Sequence, residues 1–209
     1  MSKVLALTSS ALGDASVSNQ LTSHIVNQLR LKDSSAKVIT RDLGSNPVPH
    51  LNEDATIALR AVEAENDMQA KAQALSDELI AELKAADLLV IGAPMYNFGI
   101  PSTLKAWFDY VLRAGITFSY SDAGPEGLLK GKRAIVVLTR GGLYSEGPAQ
   151  VMDAQEPHLR TLLGFIGITD VTFIRAEKLA FGAEVQEQVI ASAKQEVDHL
   201  VEGLHAAAA

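Results

Sequence analysis

The chain has no cysteine, no long apolar run and no cluster of positive charge, and each absence excludes a class of protein. Without cysteine there are no disulfides, no thiolate metal ligands and no cysteine nucleophile. No apolar run approaches the roughly 18 residues that are needed to span a bilayer. The formal net charge is −7 and the positive residues are scattered, which argues against a nucleic-acid or anionic-membrane partner, because phosphate binding needs clustered Lys and Arg.

The amino terminus and the composition favour a cytoplasmic protein. Met1-Ser2-Lys3 leads directly into a strand-like apolar run, without the apolar segment and cleavage site of a signal peptide. A length of 209 residues with 47% hydrophobic and 21% charged residues fits one globular domain with a substantial core. We therefore expect a single cytoplasmic domain over residues 1–204, with a frayed tail at 205–209.

Aromatic residues are absent from the first 95 positions, although the chain contains eleven of them. Seven fall between Tyr96 and Tyr120, directly after the apolar run that begins at Leu88. This distribution predicts a flat apolar surface where a strand ends and a loop begins. Ligands bind to parallel sheets at the carboxyl ends of the strands, so we expect a planar cofactor to lie against this loop.

Strand-length apolar runs alternate with segments of helical periodicity along the whole chain. The runs predict five strands, at residues 3–8, 37–40, 88–91, 134–138 and 171–174. Helices are predicted at 18–30, about 67–85, 102–112, 157–165 and 185–204, with a shorter helical piece before residue 67. Alternation at 117–120 indicates a small hairpin arm that is closed by a turn at 122–127.

This order of elements predicts an α/β fold with a parallel sheet and helices on both faces. Five strands fit the flavodoxin-like order 2-1-3-4-5 better than the six-stranded dinucleotide fold. The predicted architecture is therefore a flavodoxin-like three-layer sandwich. Its first, third and fourth strands end in loops that would converge at one edge of the sheet.

The first of these loops is rich in hydroxyls and has no Lys or Arg. It runs from Ser9 to Ser18, and Ser10, Ser16 and Ser18 surround the start of the first helix. A helix N-terminus attracts anions, so a phosphate monoester held by neutral donors would suit this loop. The alternative is that Ser16 and Ser18 only cap the helix. Asp14 counts against a phosphate unless it faces solvent.

Two nucleotide-binding motifs are missing. The dinucleotide fingerprint requires three spaced glycines after the first strand, and Gly13 is the only glycine there. The segment Gly127–Arg133 resembles a P-loop, but its spacing is wrong and it precedes a strand. The five histidines show no metal-ligand spacing, and no Gly-x-Ser-x-Gly elbow indicates a hydrolase.

The other two loops offer main-chain donors and rings. Residues 94–99 combine backbone amides with Asn97 and the rings of Tyr96 and Phe98. In the loop at 139–144, Gly141 and Gly142 allow the main chain to approach a ligand closely. Together the two loops could grip a flat heterocycle whose phosphate reaches the first loop. The alternatives are core packing for the rings and an ordinary tight turn for the glycines.

Four motifs carry a specific resemblance to a known family. They are Ala93-Pro94-Met95-Tyr96-Asn97-Phe98, Arg113-Ala114-Gly115-Ile116-Thr117-Phe118, Arg140-Gly141-Gly142 and Leu163-Gly164-Phe165-Ile166-Gly167. Over essentially its whole length the chain resembles the bacterial FMN-dependent NADH azoreductases and NAD(P)H quinone reductases. The resemblance implies a flavodoxin-like homodimer with flavin mononucleotide (FMN), bound tightly but non-covalently, near the dimer interface.

The resemblance also implies a set of cofactor contacts. By position, the family's flavin contacts correspond to Ser10, Ser16, Val17, Ser18, Met95, Tyr96, Asn97, Phe98, Thr139, Arg140, Gly141 and Gly142, and Pro94 and Tyr144 complete the predicted cofactor site. Thr139 stands where serine is common, which preserves the hydroxyl. Tyr144 stands where some members have histidine near the flavin pyrimidine ring.

The activity implied is ping-pong transfer of hydride from NADH or NADPH to FMN, followed by two-electron reduction of a quinone or reductive cleavage of an aromatic azo bond. Flavin N5 carries the chemistry, so no catalytic acid or base is expected. An apolar slot for the acceptor is predicted from Phe98, Phe118, Tyr120, Phe165 and Phe173, some of them from the partner subunit. The alternative function is that of a flavodoxin-type electron carrier to a protein partner.

Overall fold

The computed structural model describes residues 3–61 and 63–206 and is built around a five-stranded parallel sheet. In chain order the strands are β1 (Lys3–Thr8), β2 (Lys37–Asp42), β3 (Leu88–Pro94), β4 (Phe118–Ser121), β5 (Gly124–Gly127), β6 (Arg133–Thr139) and β7 (Asp170–Ala176). The parallel sheet has the order β2-β1-β3-β6-β7, while β4 and β5 pair separately. This confirms the predicted order 2-1-3-4-5, since the hairpin strands stand outside the sheet.

The central strand β3 explains why the sheet has two covered faces. All seven of its residues are buried, and successive side chains point to opposite sides. Leu89 and Ile91 belong to one hydrophobic cluster, whereas Leu88 and Val90 belong to the other. Near-continuous apolar composition of this kind is typical of a parallel strand that lies between two layers of helices.

The helices form those two layers. They are α1 (Val17–Lys32), α2 (Glu53–Ala58), α3 (Asp67–Ala85), α4 (Ser102–Val111), α5 (Glu156–Phe165) and α6 (Ala183–Ala206). Buried residues of α3, α4 and α5 contribute to one cluster, and those of α1 and α6 to the other. The short helical piece predicted before residue 67 is α2. Helix α6 extends to Ala206, and the remainder of the predicted tail, residues 207–209, lies outside the described residues.

The predicted hairpin arm is present, with a tighter turn than expected. Strands β4 and β5 pair antiparallel, and Ser121 lies opposite Gly124. The predicted turn at 122–127 is therefore too long, because residues 124–127 form the second strand. Leu129 N–H donates to Ile166 O at 2.9 Å, which fixes the chain after the hairpin to the end of α5.

A close contact between two main-chain segments fixes the hairpin further. A Cβ added to Gly127 would lie 2.1 Å from Gly167 N, in the turn between α5 and β7. This approach leaves no room for a side chain at position 127. The hairpin is therefore held against the body of the domain by backbone packing.

We expect Gly127→Ala to lower the free energy of unfolding by about 1–3 kcal/mol, because two backbone segments must separate. The matched control is Gly203→Ala, at an exposed position of α6 where an added Cβ meets nothing within 4 Å. It should be neutral or stabilise by up to about 1 kcal/mol through helix propensity. Urea unfolding of both variants makes the comparison, and equal stabilities would contradict the packing argument.

Candidate functional site

The first loop combines a capped helix start with two free amides. The Ser16 hydroxyl accepts from Asn19 N–H at 3.2 Å and caps α1, and it also shares a 2.9 Å hydrogen bond with the Ser18 hydroxyl. The helix-capping role that the sequence analysis gave as the alternative is therefore confirmed for Ser16. Within the described chain, however, the N–H groups of Val17 and Ser18 have no protein acceptor. These N–H groups are free donors at the N-terminal end of α1, where the helix dipole is positive.

The second loop is a two-residue turn with an unusual backbone. Tyr96 and Gly99 exchange hydrogen bonds at 3.0 and 3.1 Å, and the residues between them, Asn97 and Phe98, have φ angles of 48° and 71°. Left-handed conformations of residues other than glycine cost about 1–3 kcal/mol each and persist only where the surroundings enforce them. Such strain occurs preferentially at functional sites. The amides of both central residues lack a protein acceptor among residues 3–61 and 63–206.

Contacts from other segments hold this turn. The Tyr96 hydroxyl accepts from Ala11 N–H at 2.9 Å and shares a 3.1 Å hydrogen bond with the Ser10 hydroxyl. On the other side, Phe98 O accepts from Ala154 N–H at 3.0 Å. The first and second loops are therefore joined directly, through the predicted site residues Ser10 and Tyr96. Next to the turn, Met95 N–H donates to Thr139 O at 2.8 Å, and the buried Pro94 ends β3.

The third loop presents a glycine pair whose carbonyls are bonded and whose amides are free. Gly141 O and Gly142 O accept from Ala180 and Lys178 at 3.1 and 2.9 Å. Neither glycine amide finds an acceptor in the part of the chain that the structure describes. The Tyr144 ring lies edge-on to the Phe98 ring at 6.1 Å, so the second and third loops also meet.

Six free amides are thus brought to one edge of the sheet by the ends of β1, β3 and β6. This edge includes the position between β1 and β3 where the strand order reverses, at which ligands of such folds bind. A planar ring system rich in carbonyl and nitrogen acceptors, with a phosphate at the end of a chain, is the kind of ligand that this donor set fits. The residues that supply the amides are Val17, Ser18, Asn97, Phe98, Gly141 and Gly142.

The side chain of Arg140 faces away from this edge. It is fully buried, and the backbone N–H and O of Arg140 are bonded to Ala176 and Leu179 at 2.9 and 3.1 Å. Any contribution of this predicted cofactor contact therefore passes through other residues. The Thr139 hydroxyl just before it makes no hydrogen bond within the described residues, so it is free to donate or accept.

The five aromatic residues predicted to line one slot lie in separate places within one chain. Phe118 contacts Tyr120 and Phe165, with ring centroids 5.5 and 4.6 Å apart. Phe98 is 45% exposed and pairs with the Tyr144 ring instead. Phe173 is buried in the core, with the Arg160 guanidinium 4.2 Å above its ring.

A cavity of about 700 Å³ lies beside the first aromatic group. Its lining residues are Leu51, Thr56, Leu59, Arg60, Ala61, Asp109, Leu112, Arg113, Ala114, Ile116, Phe118 and Tyr120. The lining is mostly apolar and includes three charged residues, Arg60, Asp109 and Arg113. A flat aromatic molecule would find ring and aliphatic surface here.

A buried hydrogen-bond network lies behind the loops and was not predicted from the sequence. The three guanidinium nitrogens of Arg140 donate to Gln155, Glu177 and Asp153 at 2.9, 3.0 and 2.8 Å. Asp153 in turn accepts from the amides of Gln155 and Glu156 and so fixes the start of α5. No spacing rule links these residues, because Arg140 and its partners come from segments that are distant in sequence, namely the loop after β6, the start of α5 and the loop after β7.

Hydrogen bonding determines the ionisation of the two glutamates in this region. Burial would raise the pKa of Glu177, but hydrogen bonds from Ser145, Tyr144 N–H and Arg140 outweigh it and leave the pKa below its usual value. The pKa of Glu156 is likewise lowered, since bonds from Arg175 and Arg160 outweigh its burial. Both carboxylates are therefore charged acceptors at neutral pH.

Two other kinds of feature, a metal-ligand cluster and a membrane-spanning helix, are missing from the described residues. No group of three or more potential metal ligands occurs within residues 3–61 and 63–206. Among the described helices, none combines the length and the apolar character that crossing a bilayer requires.

The fold and this edge define a flavodoxin-like protein. Residues 2–201 match a protein family that is described as having a flavodoxin-like fold, so the chain belongs to that family. Relatives named FMN-dependent NADH:quinone oxidoreductase include one from Hyphomonas neptunium, 56% identical over 94% of each chain. Another, from Escherichia coli strain K12, is 51% identical over 96% of this chain and 99% of its own.

Solved structures of azoreductases share the whole fold. An azoreductase from Bacillus anthracis strain Sterne is 28% identical, with a TM-score of 0.87 over 96% of this chain and 99% of its own. An FMN-dependent NADH-azoreductase from Bacillus anthracis strain Ames Ancestor, solved in complex with FMN, is 25% identical, with a TM-score of 0.88 over 98% and 100%. The family resemblance that the four sequence motifs indicated is thereby confirmed.

Glu177→Gln should destabilise the protein at pH 7 by about 1–3 kcal/mol, because a charged acceptor of several hydrogen bonds is lost. A lowered folded pKa means that the stabilisation by Glu177 is complete above the usual glutamate value of 4.5 and disappears as pH falls through the folded pKa. Urea unfolding between pH 7 and pH 3 should show the two proteins converging in acid. A difference that is constant with pH would contradict this assignment.

Proposed function

We propose that this protein is an FMN-dependent NADH:quinone oxidoreductase that also reduces aromatic azo compounds to amines. The observation that carries the proposal is the set of six free amides at three adjoining strand ends, which fits the acceptor-rich ring edge and the phosphate of FMN. Relatives at 51% and 56% identity carry that quinone oxidoreductase name, which supports the same assignment.

The first loop would hold the phosphate. The amides of Val17 and Ser18 lie at the start of α1, where the helix dipole favours negative charge. The Ser10 hydroxyl belongs to the same loop and is oriented by Tyr96. These donors are all neutral, so the helix end and directed hydrogen bonds would replace the positive side chains that many phosphate sites use.

The second and third loops would hold the ring system. Amides of Asn97 and Phe98 come from the end of β3, and those of Gly141 and Gly142 come from the end of the adjacent β6. When bound, FMN supplies two-electron transfer between a reduced nicotinamide and the final acceptor. The glycine amides would stabilise negative charge at the carbonyl edge of the ring, because they are fixed donors that need no reorganisation.

The acceptor would bind against aromatic surface. The cavity beside Phe118 and Tyr120 has the size and apolar walls that suit a quinone or an aromatic azo compound. No ring contact joins this group to Phe98 within the described chain, which is compatible with a slot that a second subunit completes. We therefore propose a homodimer with FMN near the interface, acting in the cytoplasm with NADH or NADPH as donor.

The decisive experiment is a visible spectrum of the purified protein with added FMN, repeated anaerobically with NADH and then with a quinone. We expect bound flavin absorbance that bleaches with NADH and recovers when the quinone is added without any partner protein. Bound flavin that NADH cannot bleach would favour the flavodoxin-type electron carrier. A protein that takes up no FMN would overturn the proposal.

Tyr96→Phe should weaken FMN binding several-fold, since losing a hydrogen bond of about 1 kcal/mol would loosen the link between the first two loops. The control is Tyr110→Phe on α4, because the Tyr110 hydroxyl makes no hydrogen bond with any described residue. Quenching of flavin fluorescence gives both dissociation constants. Identical constants for the two variants would show that the Tyr96 hydroxyl has no part in the cofactor site.

A further inference from the structure

The Arg140 side chain is the hub of the network behind the cofactor edge. Its side chain is 0% exposed, and each of its three nitrogens donates to a different residue. These acceptors belong to two separate segments, the start of α5 and the loop after β7. A planar guanidinium can satisfy such a fork of acceptors, whereas a lysine ammonium cannot reproduce its geometry.

One arm of the network leads to the strained turn. Gln155 accepts from Arg140 Nε and donates through its own Nε2 to Ala93 O at 2.8 Å, near the end of β3. The neighbouring Ala154 N–H donates to Phe98 O at 3.0 Å, inside the turn itself. The segment that Arg140 holds is therefore the one that holds the left-handed backbone in place.

The other arm leads to the glycine loop. Glu177 Oε1 accepts from Arg140 Nη1 and also from the amides of Tyr144 and Ser145 at 2.8 and 3.0 Å. The Ser145 hydroxyl donates to the second oxygen of the same carboxylate. The chain directly after Gly142 is thereby fixed to Arg140 through a single carboxylate.

We propose that Arg140 is a positioning residue for the cofactor: through Gln155 and Glu177 it sets the placement of the turn at 96–99 relative to the glycine pair. The proposal rests on the proposed binding of FMN by these two loops. Donors that face one ligand from two loops act together only when their spacing is held to a fraction of an ångström.

The network is better suited to positioning the two loops than to stabilising the fold. Buried ion pairs are often no more stabilising than apolar residues of the same volume, because desolvation offsets the attraction. Here a buried arginine adds a side-chain link between two loops that follow the paired strands β3 and β6 but lie beyond the last paired residues, Pro94 and Thr139. Removing it leaves the bond from Met95 N–H to Thr139 O and the contact between the Phe98 and Tyr144 rings, but it removes the buried polar link between the two loops.

Arg140→Lys tests the hub, and Gln155→Met tests the arm to the turn alone should the lysine variant fail to fold. Val197→Ala is the control, because Val197 lies on α6, is fully buried in the cluster on the other face of the sheet, and its truncation lowers stability without touching the network. Three quantities are measured: the FMN dissociation constant, the midpoint potential of the bound cofactor, and amide exchange at Ala154 and Tyr144 in the flavin-free protein.

We expect Arg140→Lys to weaken FMN binding tenfold or more and to shift the midpoint potential downward. Each tenfold loss in binding of the reduced form relative to the oxidised form corresponds to about 30 mV for a two-electron couple. Exchange should accelerate at both amides in Arg140→Lys and mainly at Ala154 in Gln155→Met. Val197→Ala should lower the melting temperature. Its FMN dissociation constant and its exchange rates at these two amides should stay within twofold of wild type, and its midpoint potential should be unchanged.

Folded variants that lose melting temperature but match Val197→Ala in binding, potential and exchange would overturn the positioning role and leave the proposed function intact. If Arg140→Lys does not fold, Gln155→Met decides by the same criteria. Failure of the wild-type protein to bind FMN would overturn the proposed function and this inference together.

Discussion

Parallel pairing of β3 with β1 on one side and β6 on the other is the constraint on which the rest of the structure depends. Because all three strands run in the same direction, their carboxyl ends meet at one edge, and three loops distant in sequence become neighbours. The pairing is stable because β3 is apolar on both faces and buried between two helical layers. That the donors meet at one edge is thus a consequence of core packing.

Much of this architecture could be predicted from the sequence. Apolar runs such as Leu88–Ile91 and Ala134–Leu138 are short, continuous and separated by helix-length segments, and those features determine strand direction and order. The three loops could be located for the same reason, since a strand end is visible in the hydrophobic pattern. The hydrogen-bonding groups of these loops could be predicted only in part. Hydroxyls and paired glycines indicate donors, but the sequence does not show which donors remain free in the folded protein.

The features that the sequence did not reveal depend on where side chains point. Arg140 adjoins the glycine pair, and sequence position alone suggests a ligand contact. Its inward direction is decided by acceptors 13 to 37 residues away. Phe98 shows a similar limit, because a left-handed φ is expected of glycine and is imposed here by contacts from other loops. Phe173 shares the aromatic character of the slot residues, and only packing reveals that it is buried.

The neutral character of the first loop has a kinetic consequence. A protein of net charge −7 repels a phosphate dianion at long range, and no Lys or Arg between residues 9 and 18 focuses an attractive field on the helix start. Encounter with such a ligand is therefore slowed by the protein as a whole, while the bound state depends on short-range hydrogen bonds that salt screens little. Raising the ionic strength would reduce the long-range repulsion, so capture of a phosphorylated cofactor would become faster in salt.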